Sequence, residues 1–190
     1  DAGKTWTHLG LRDGQQIPNI AVDPKNADRV FVAVAGHPYG PNEERGIYRS
    51  TDGGKTFQKV LSMDENTGGN DVDIDPANPE TVYATMWEER QGPWENSVWA
   101  GTNGGIFKSV DGGKSFEYVG LKETQSIGRI VVHPKDPNIA YVAAVGHLFG
   151  PNKERGLYKT TDGGKTWTTS KFIDEDTGFT DVVMDPNNPN

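Results

Sequence analysis

The feature that most constrains this chain is a motif it repeats. The copies are Ser50-Thr51-Asp52-Gly53-Gly54-Lys55-Thr56-Phe57, Ser109-Val110-Asp111-Gly112-Gly113-Lys114-Ser115-Phe116 and Thr160-Thr161-Asp162-Gly163-Gly164-Lys165-Thr166-Trp167. A shortened copy, Asp1-Ala2-Gly3-Lys4-Thr5-Trp6, opens the sequence. The four aspartates at 1, 52, 111 and 162 are therefore 51, 59 and 51 residues apart. A period of that size means tandem structural units, each burying its apolar face against the next. The motif itself has the chemistry of a tight turn between strands. A carboxylate there can accept hydrogen bonds from the amides that follow it, and the glycines supply positive φ. The closing aromatic anchors the next strand by burying a large ring. Asp1, Asp52, Asp111 and Asp162 are accordingly read as structural.

Each unit reads as four short strands. Asn19–Val22 is an apolar run stopped by Asp23-Pro24; 29–35 is β-branched and aromatic; 47–50 alternates; 56–61 follows the turn. The same order recurs, with inner strands ending at Asp75-Pro76, His133-Pro134 and Asp185-Pro186. The second strands are 81–86 and 139–145, and the third strands Gly105–Ser109 and 157–160. No segment has a helical period. Four antiparallel strands per unit, in tandem at this spacing, predict an all-β chain of β-propeller blades. The blades are expected over 17–69, 70–126 and 127–175, with 1–16 an outer strand of a preceding blade and 176–190 an inner strand of a following one. A closed ring needs at least about four blades. The expectation is a partial propeller, completed by the rest of a parent propeller or by further copies of the chain.

A longer period lies on top. At an offset of 110, residues 17–80 and 127–190 are identical at 32 of 64 positions. The first and third blades share Gly36-His37 with Gly146-His147, Gly40-Pro41-Asn42 with Gly150-Pro151-Asn152, and Glu44-Arg45-Gly46 with Glu154-Arg155-Gly156. The second blade has a different loop there, 88–104, carrying Trp94 and Trp99.

The motif resembles the Asp-box, or bacterial neuraminidase, repeat, and the likeness extends over essentially the whole chain. Among chains with this repeat it is most similar to the large bacterial sortilin-like propellers often described as glycosyl hydrolases, which carry loops like Gly146 to Gly156. The resemblance implies boxes that lie away from any active centre, and an extracellular or periplasmic location. It stops short of the sialidase site: Gln16-Ile17-Pro18 has glutamine where that family has arginine, and neither an arginine triad nor the paired aspartates of a xyloglucanase can be assembled.

Strand alternation puts the Asp-Pro turns and the Asp-boxes on one face. The Gly-His loops and the segments that join blades fall on the other, where rigid strands would hold binding loops. The candidate ligand-binding residues there are His37, Tyr39, Asn42, Arg45, Trp87, Arg90, Trp94, Trp99, His147, Phe149, Asn152 and Arg155. Arg45 and Arg155 could clamp a carboxylate, with an ion pair to the neighbouring glutamate the favoured reading. Asp64-Glu65-Asn66-Thr67-Gly68 and Asp174-Glu175-Asp176-Thr177-Gly178 offer calcium-type oxygens without the spacing of a calcium loop, so turn chemistry is expected and no cofactor. The net charge of −8 disfavours nucleic acid, the absence of cysteine removes thiol chemistry, and no apolar run is of membrane-spanning length. The leading reading is a non-catalytic module that recognises protein or glycan; the alternative is part of a glycoside hydrolase, sialidase- or xyloglucanase-like.

Overall fold

The computed structural model describes residues 1–89 and 101–189. Three four-stranded antiparallel sheets follow one another along the chain. The first is β1 (Asn19–Val22), β2 (Val30–Val34), β3 (Gly46–Ser50) and β4 (Gln58–Leu61). The second is β5 (Thr67–Ile74), β6 (Val82–Glu88), β7 (Gly105–Ser109) and β8 (Glu117–Gly120). The third is β9 (Ile127–Val132), β10 (Ala140–Ala144), β11 (Gly156–Thr160) and β12 (Thr168–Lys171). In every sheet spatial order equals sequence order, the up-and-down meander of a propeller blade. The chain is a partial β-propeller of three blades. The flanking segments expected within 1–16 and 176–190 to belong to a preceding and a following blade, 5–9 and 181–184, have no ladder among the described residues. A strand exists only by pairing, and Val182 N–H turns back to the carboxylate of Asp181 at 2.8 Å.

The core lies between blades. Phe31, Ala33 and Ile47 of the first blade meet Val72, Ile74, Val82, Ala84, Met86 and Phe107 of the second. Tyr83 and Ile106 then meet Ile127, Ile130, Val132 and Val142 of the third. The middle strands are thus buried on both faces, which explains near-continuous apolar runs such as Val-Phe-Val-Ala-Val in β2, whereas the outermost strands stay largely exposed.

The Asp-boxes are built alike. Ser50 Oγ donates to Asp52 Oδ1 at 2.8 Å and accepts Gly54 N–H at 2.8 Å; Thr56 donates through N–H and Oγ1 to the two carboxylate oxygens at 2.9 and 2.6 Å. Asp111 and Asp162 repeat the pattern, and Asp1 accepts Gly3 and Lys4 N–H at 3.1 Å. Hydrogen bonds from the Thr side chain and backbone hold the Asp52 and Asp162 carboxyls down at about 2. Each box also leans on the Asp-Pro turn of its own blade: Gly53, Gly112 and Gly163 N–H donate to the carbonyls of Asp28, Glu80 and Asn138 at 2.9 to 3.0 Å. Both turn types therefore share one face.

The boxes reach across blade seams as well. Arg49 Nη1 of the first blade donates to Gly112 O at 3.0 Å, and Lys108 Nζ of the second to Gly163 O at 3.1 Å. Trp167 packs beside Val119 and donates to its carbonyl at 2.8 Å. The box aromatic is thus a wedge between its own blade and the one before.

Candidate functional site

The rim opposite the boxes carries the Gly-His loops. In both copies the loop's backbone at the first and second glycine is left-handed: φ is 85° and 74° at Gly36 and Gly40, 78° and 80° at Gly146 and Gly150. Asn42 N–H donates to Glu65 O and Asn152 N–H to Glu175 O, both at 2.8 Å, so each loop is tied to the segment leading out of its blade.

Arg45 is only 1% exposed. Its guanidinium donates to the carbonyls of Ala35 and His37, the latter at 2.7 Å. Arg155 does the same to Val145 and His147, both at 2.7 Å, with a further contact to Gly150 O at 3.3 Å. The expected pairing of these arginines with the adjacent glutamates is not what forms: Glu44 accepts from the Tyr48 hydroxyl at 2.7 Å, and Glu154 from Asn152 Nδ2 at 2.6 Å. The reason is geometric. A planar fork beneath a tight loop matches two converging carbonyls, and those carbonyls would otherwise be buried unpaired. Both arginines are spent inside the loop rather than presented to a ligand carboxylate.

His37 and His147 contribute their carbonyls to this clamp. Asn152 Oδ1 accepts His147 N–H at 3.3 Å, and Asn42 Nδ2 contacts Asp13 O at 3.4 Å. Tyr39 and Phe149, by contrast, are 57% and 68% exposed at the loop tips. Trp87 is half-buried in β6 opposite Gly68. Arg90, Trp94 and Trp99 lie outside the described residues. Glu88 Oε2 accepts Asn103 N–H at 3.1 Å, while burial pushes the Glu89 carboxyl up against the opposing charge of Arg45. The oxygens considered for calcium cap turns: Asp64 accepts Asn66 N–H at 2.9 Å and Asn103 Nδ2 at 3.0 Å, and Asp174 accepts Asp176 N–H at 2.9 Å. Among the described residues no group of three histidine or acidic side chains is arranged for a metal.

A second cluster, which the sequence reading did not single out, lies on the inner strands. Asn19, Asp71, Arg129 and Asp181 each stand four residues before the turn residue Asp23, Asp75, His133 or Asp185. They form a lateral chain. Asn19 Nδ2 donates to Asp71 Oδ1 and, at 3.1 Å, to Val72 O. Arg129 Nε lies 3.7 Å from Asp71 and 3.8 Å from Asp181. Asp71 and Asp73, on one side of β5, also accept Ile130 and Val132 N–H at 2.8 Å each. Those amides belong to the edge of β9 that has no strand partner, so the two carboxylates satisfy an inner edge that would otherwise be bare. Asp73, Arg129 and Asn19 line an open depression of about 410 Å³ between the inner strands. Burial pushes both carboxyls up, Asp73 to about 6, with Asp71 adding repulsion. The signal in the sequence was the shared offset from the Asp-Pro turn, visible only once the blades are superposed.

These shifts predict a pH profile with two limbs. The Asp73 value is raised above the ordinary 3.8, so the fold holds its proton more tightly than the unfolded chain; that stabilisation is present at low pH and is lost as pH rises through about 6. The box aspartates are depressed, so their contribution is present above the ordinary carboxylate range and is lost as pH falls toward about 2. Thermal midpoints measured across pH should rise from about 8 to about 5 and fall below about 4. Asp73→Asn should make the first limb shallower, the remainder coming from Asp71 and Glu89, and leave the second unchanged. A native profile already flat above about 5 would contradict the assignment.

Comparison with known proteins places this geometry. The BNR/Asp-box repeat family matches residues 48–59, the first complete box with its flanking strands. The chain is 27% identical over 204 aligned residues to a xyloglucanase of Hypocrea jecorina (strain QM6a), which matches all of this chain but only 21% of the enzyme. Among solved structures, an ancestral GH74 enzyme superposes with a TM-score of 0.60 at 21% identity, over 84% of this chain and 19% of that one. YCF48 bound to D1 peptide superposes with a TM-score of 0.53 at 16% identity, over 84% of this chain and 40% of that one. The chain therefore spans about a fifth of the curated relative it matches, and the structural likenesses establish the fold. The chain thus carries three boxes built on one hydrogen-bonding pattern, each set in its own four-stranded blade of a partial β-propeller, and the first of them matches the BNR/Asp-box repeat.

Proposed function

We propose that this chain is one arc of a larger, glycoside-hydrolase-like propeller and supplies part of its carbohydrate-binding wall. The observation that carries this is the alignment of the entire chain, loops included, with a xyloglucanase. Binding rather than bond cleavage is assigned to the arc on chemical grounds. Glycoside hydrolysis generally needs two carboxylates about 5–10 Å apart across a cleft. The box aspartates are committed to turn hydroxyls and amides and Asp71 and Asp73 to the amides of β9. Among the described residues this leaves Glu89, raised by burial beside Arg45, without a second free carboxylate of raised value to work with. A polymeric glycan is met outside the cytoplasm, so the reading carries an extracellular or periplasmic location with it.

The likeness to YCF48 bound to D1 peptide supports a second reading, a propeller that recognises protein. Affinity electrophoresis of the purified chain in gels containing xyloglucan, beside a reducing-sugar assay, separates them. Retardation without release of sugar is expected. Hydrolysis that disappears in Asp73→Asn would move catalysis into this arc, and unretarded migration would favour the protein-binding reading.

A further inference from the structure

The two Gly-His loops are the same object built twice, and their tips differ from everything beneath them. Below the tip, all is fixed. A buried guanidinium binds two loop carbonyls, the Asn42 and Asn152 amides tie to the next segment, and the glycines take left-handed φ. A Cβ at Gly36 would stand 2.7 Å from both Asn42 Oδ1 and Arg45 Cγ; at Gly146 it would stand 2.6 Å from Arg155 Cγ. The 3-10 turns that enter the two blades, Arg12–Gly14 and Lys122–Thr124, are also matched. Each is bracketed by left-handed non-glycine residues, Leu11 and Gln15 with φ of 56° and 53°, Leu121 and Gln125 with 58° and 57°. Such conformations are costly for L-residues and persist where the surroundings impose them, often at ligand clamps. Yet on this constrained base the tip aromatics, Tyr39 and Phe149, project to solvent.

Resting on the carbohydrate reading above, we propose that Tyr39 and Phe149 are two equivalent stacking subsites that grip successive stretches of one neutral polysaccharide chain running across the second blade. Three features point to that ligand. The tips are His37-Pro38-Tyr39-Gly40-Pro41-Asn42 and His147-Leu148-Phe149-Gly150-Pro151-Asn152, with no acidic or lysine side chain, and the nearby arginines are turned inward. An exposed aromatic face suits the C–H face of an uncharged pyranose. Duplication at one blade's remove suits a repeating ligand, because two weak sites on one rigid frame gain about 10²–10⁴ in avidity when a single molecule spans them. A rigid frame serves this better than mobile loops, since little ordering entropy is lost on binding.

Isothermal titration of the chain with a short cello-oligosaccharide and with long soluble xyloglucan tests it. The short ligand should bind weakly at two sites of similar affinity. The polymer should bind about 100-fold more tightly, and Tyr39→Ala or Phe149→Ala should each bring it back to the short-ligand level. Tyr39→Phe should retain the polymer's affinity, and circular dichroism should be unchanged because both side chains are exposed. Polymer binding that survives both alanine substitutions would overturn the paired subsites while leaving the carbohydrate reading intact. No binding of either glycan by the wild-type chain would remove the carbohydrate reading itself. Preference for an unstructured peptide, lost in the same two variants, would reassign the tips to a protein partner and overturn the proposal.

Discussion

Gly113→Ala is expected to unfold the junction between the first two blades. At Gly113 the backbone is left-handed, with φ of 76°, and a Cβ there would overlap the ring of Phe31, which is fully buried in the inter-blade core. The left-handed conformation costs an L-residue about 1–2 kcal/mol and overpacking a further 1–3. A loss of about 3 kcal/mol is a large share of the 5–15 typical of a domain. Urea denaturation should show it as a lowered midpoint, and Gly163→Ala provides the contrast. Gly163 is also left-handed, but its Cβ would meet the flexible end of the Lys108 side chain, Asn138 Oδ1 and, at ordinary contact distance, the Tyr83 hydroxyl. Equal losses in the two variants would mean that the seam does not depend on the close approach of box and ring.

Arg45→Met is the second large effect. It keeps the aliphatic length but leaves the carbonyls of Ala35 and His37 buried without their donors. Hydrogen bonds to a charged group are worth about 1.5–3 kcal/mol, and stranding buried acceptors costs a similar amount, so a loss of about 3 kcal/mol is expected. Arg45→Lys should recover little, because a single ammonium cannot serve two carbonyls in the geometry of a fork. Hydrogen exchange should rise at 36–46 and spread into β2 and β3. Full recovery by lysine would mean that charge alone holds the loop.

The fold was legible because its determinants are local and repeated. The boxes, the Asp-Pro turns and the β-branched runs each fix a strand or a turn within a few residues, and their order is the order of the sheet. Even the division of faces followed from strand parity, and the box–turn hydrogen bonds agree with it. What the sequence hid depends on contacts between blades. The role of Arg45 depends on how the loop curls over it, so a charged residue beside Glu44 looked like half of an ion pair. Asp71 and Asp73 looked like ordinary polar residues of a strand until the bare edge of β9 was set against them.

The lateral chain of Asn19, Asp71, Arg129 and Asp181 bears on how such a protein assembles. The first and third blades are near copies, so their large apolar surfaces could be exchanged during folding with little loss of hydrophobic contact. At this rung the copies differ in charge, with asparagine in one and arginine in the other. Exchanging the two would set asparagine between the Asp71 and Asp181 carboxylates and take the guanidinium away from Asp181, a cost that correct docking avoids. The rung thus works as an address written between related parts, and it guards tandem duplicates against joining out of turn.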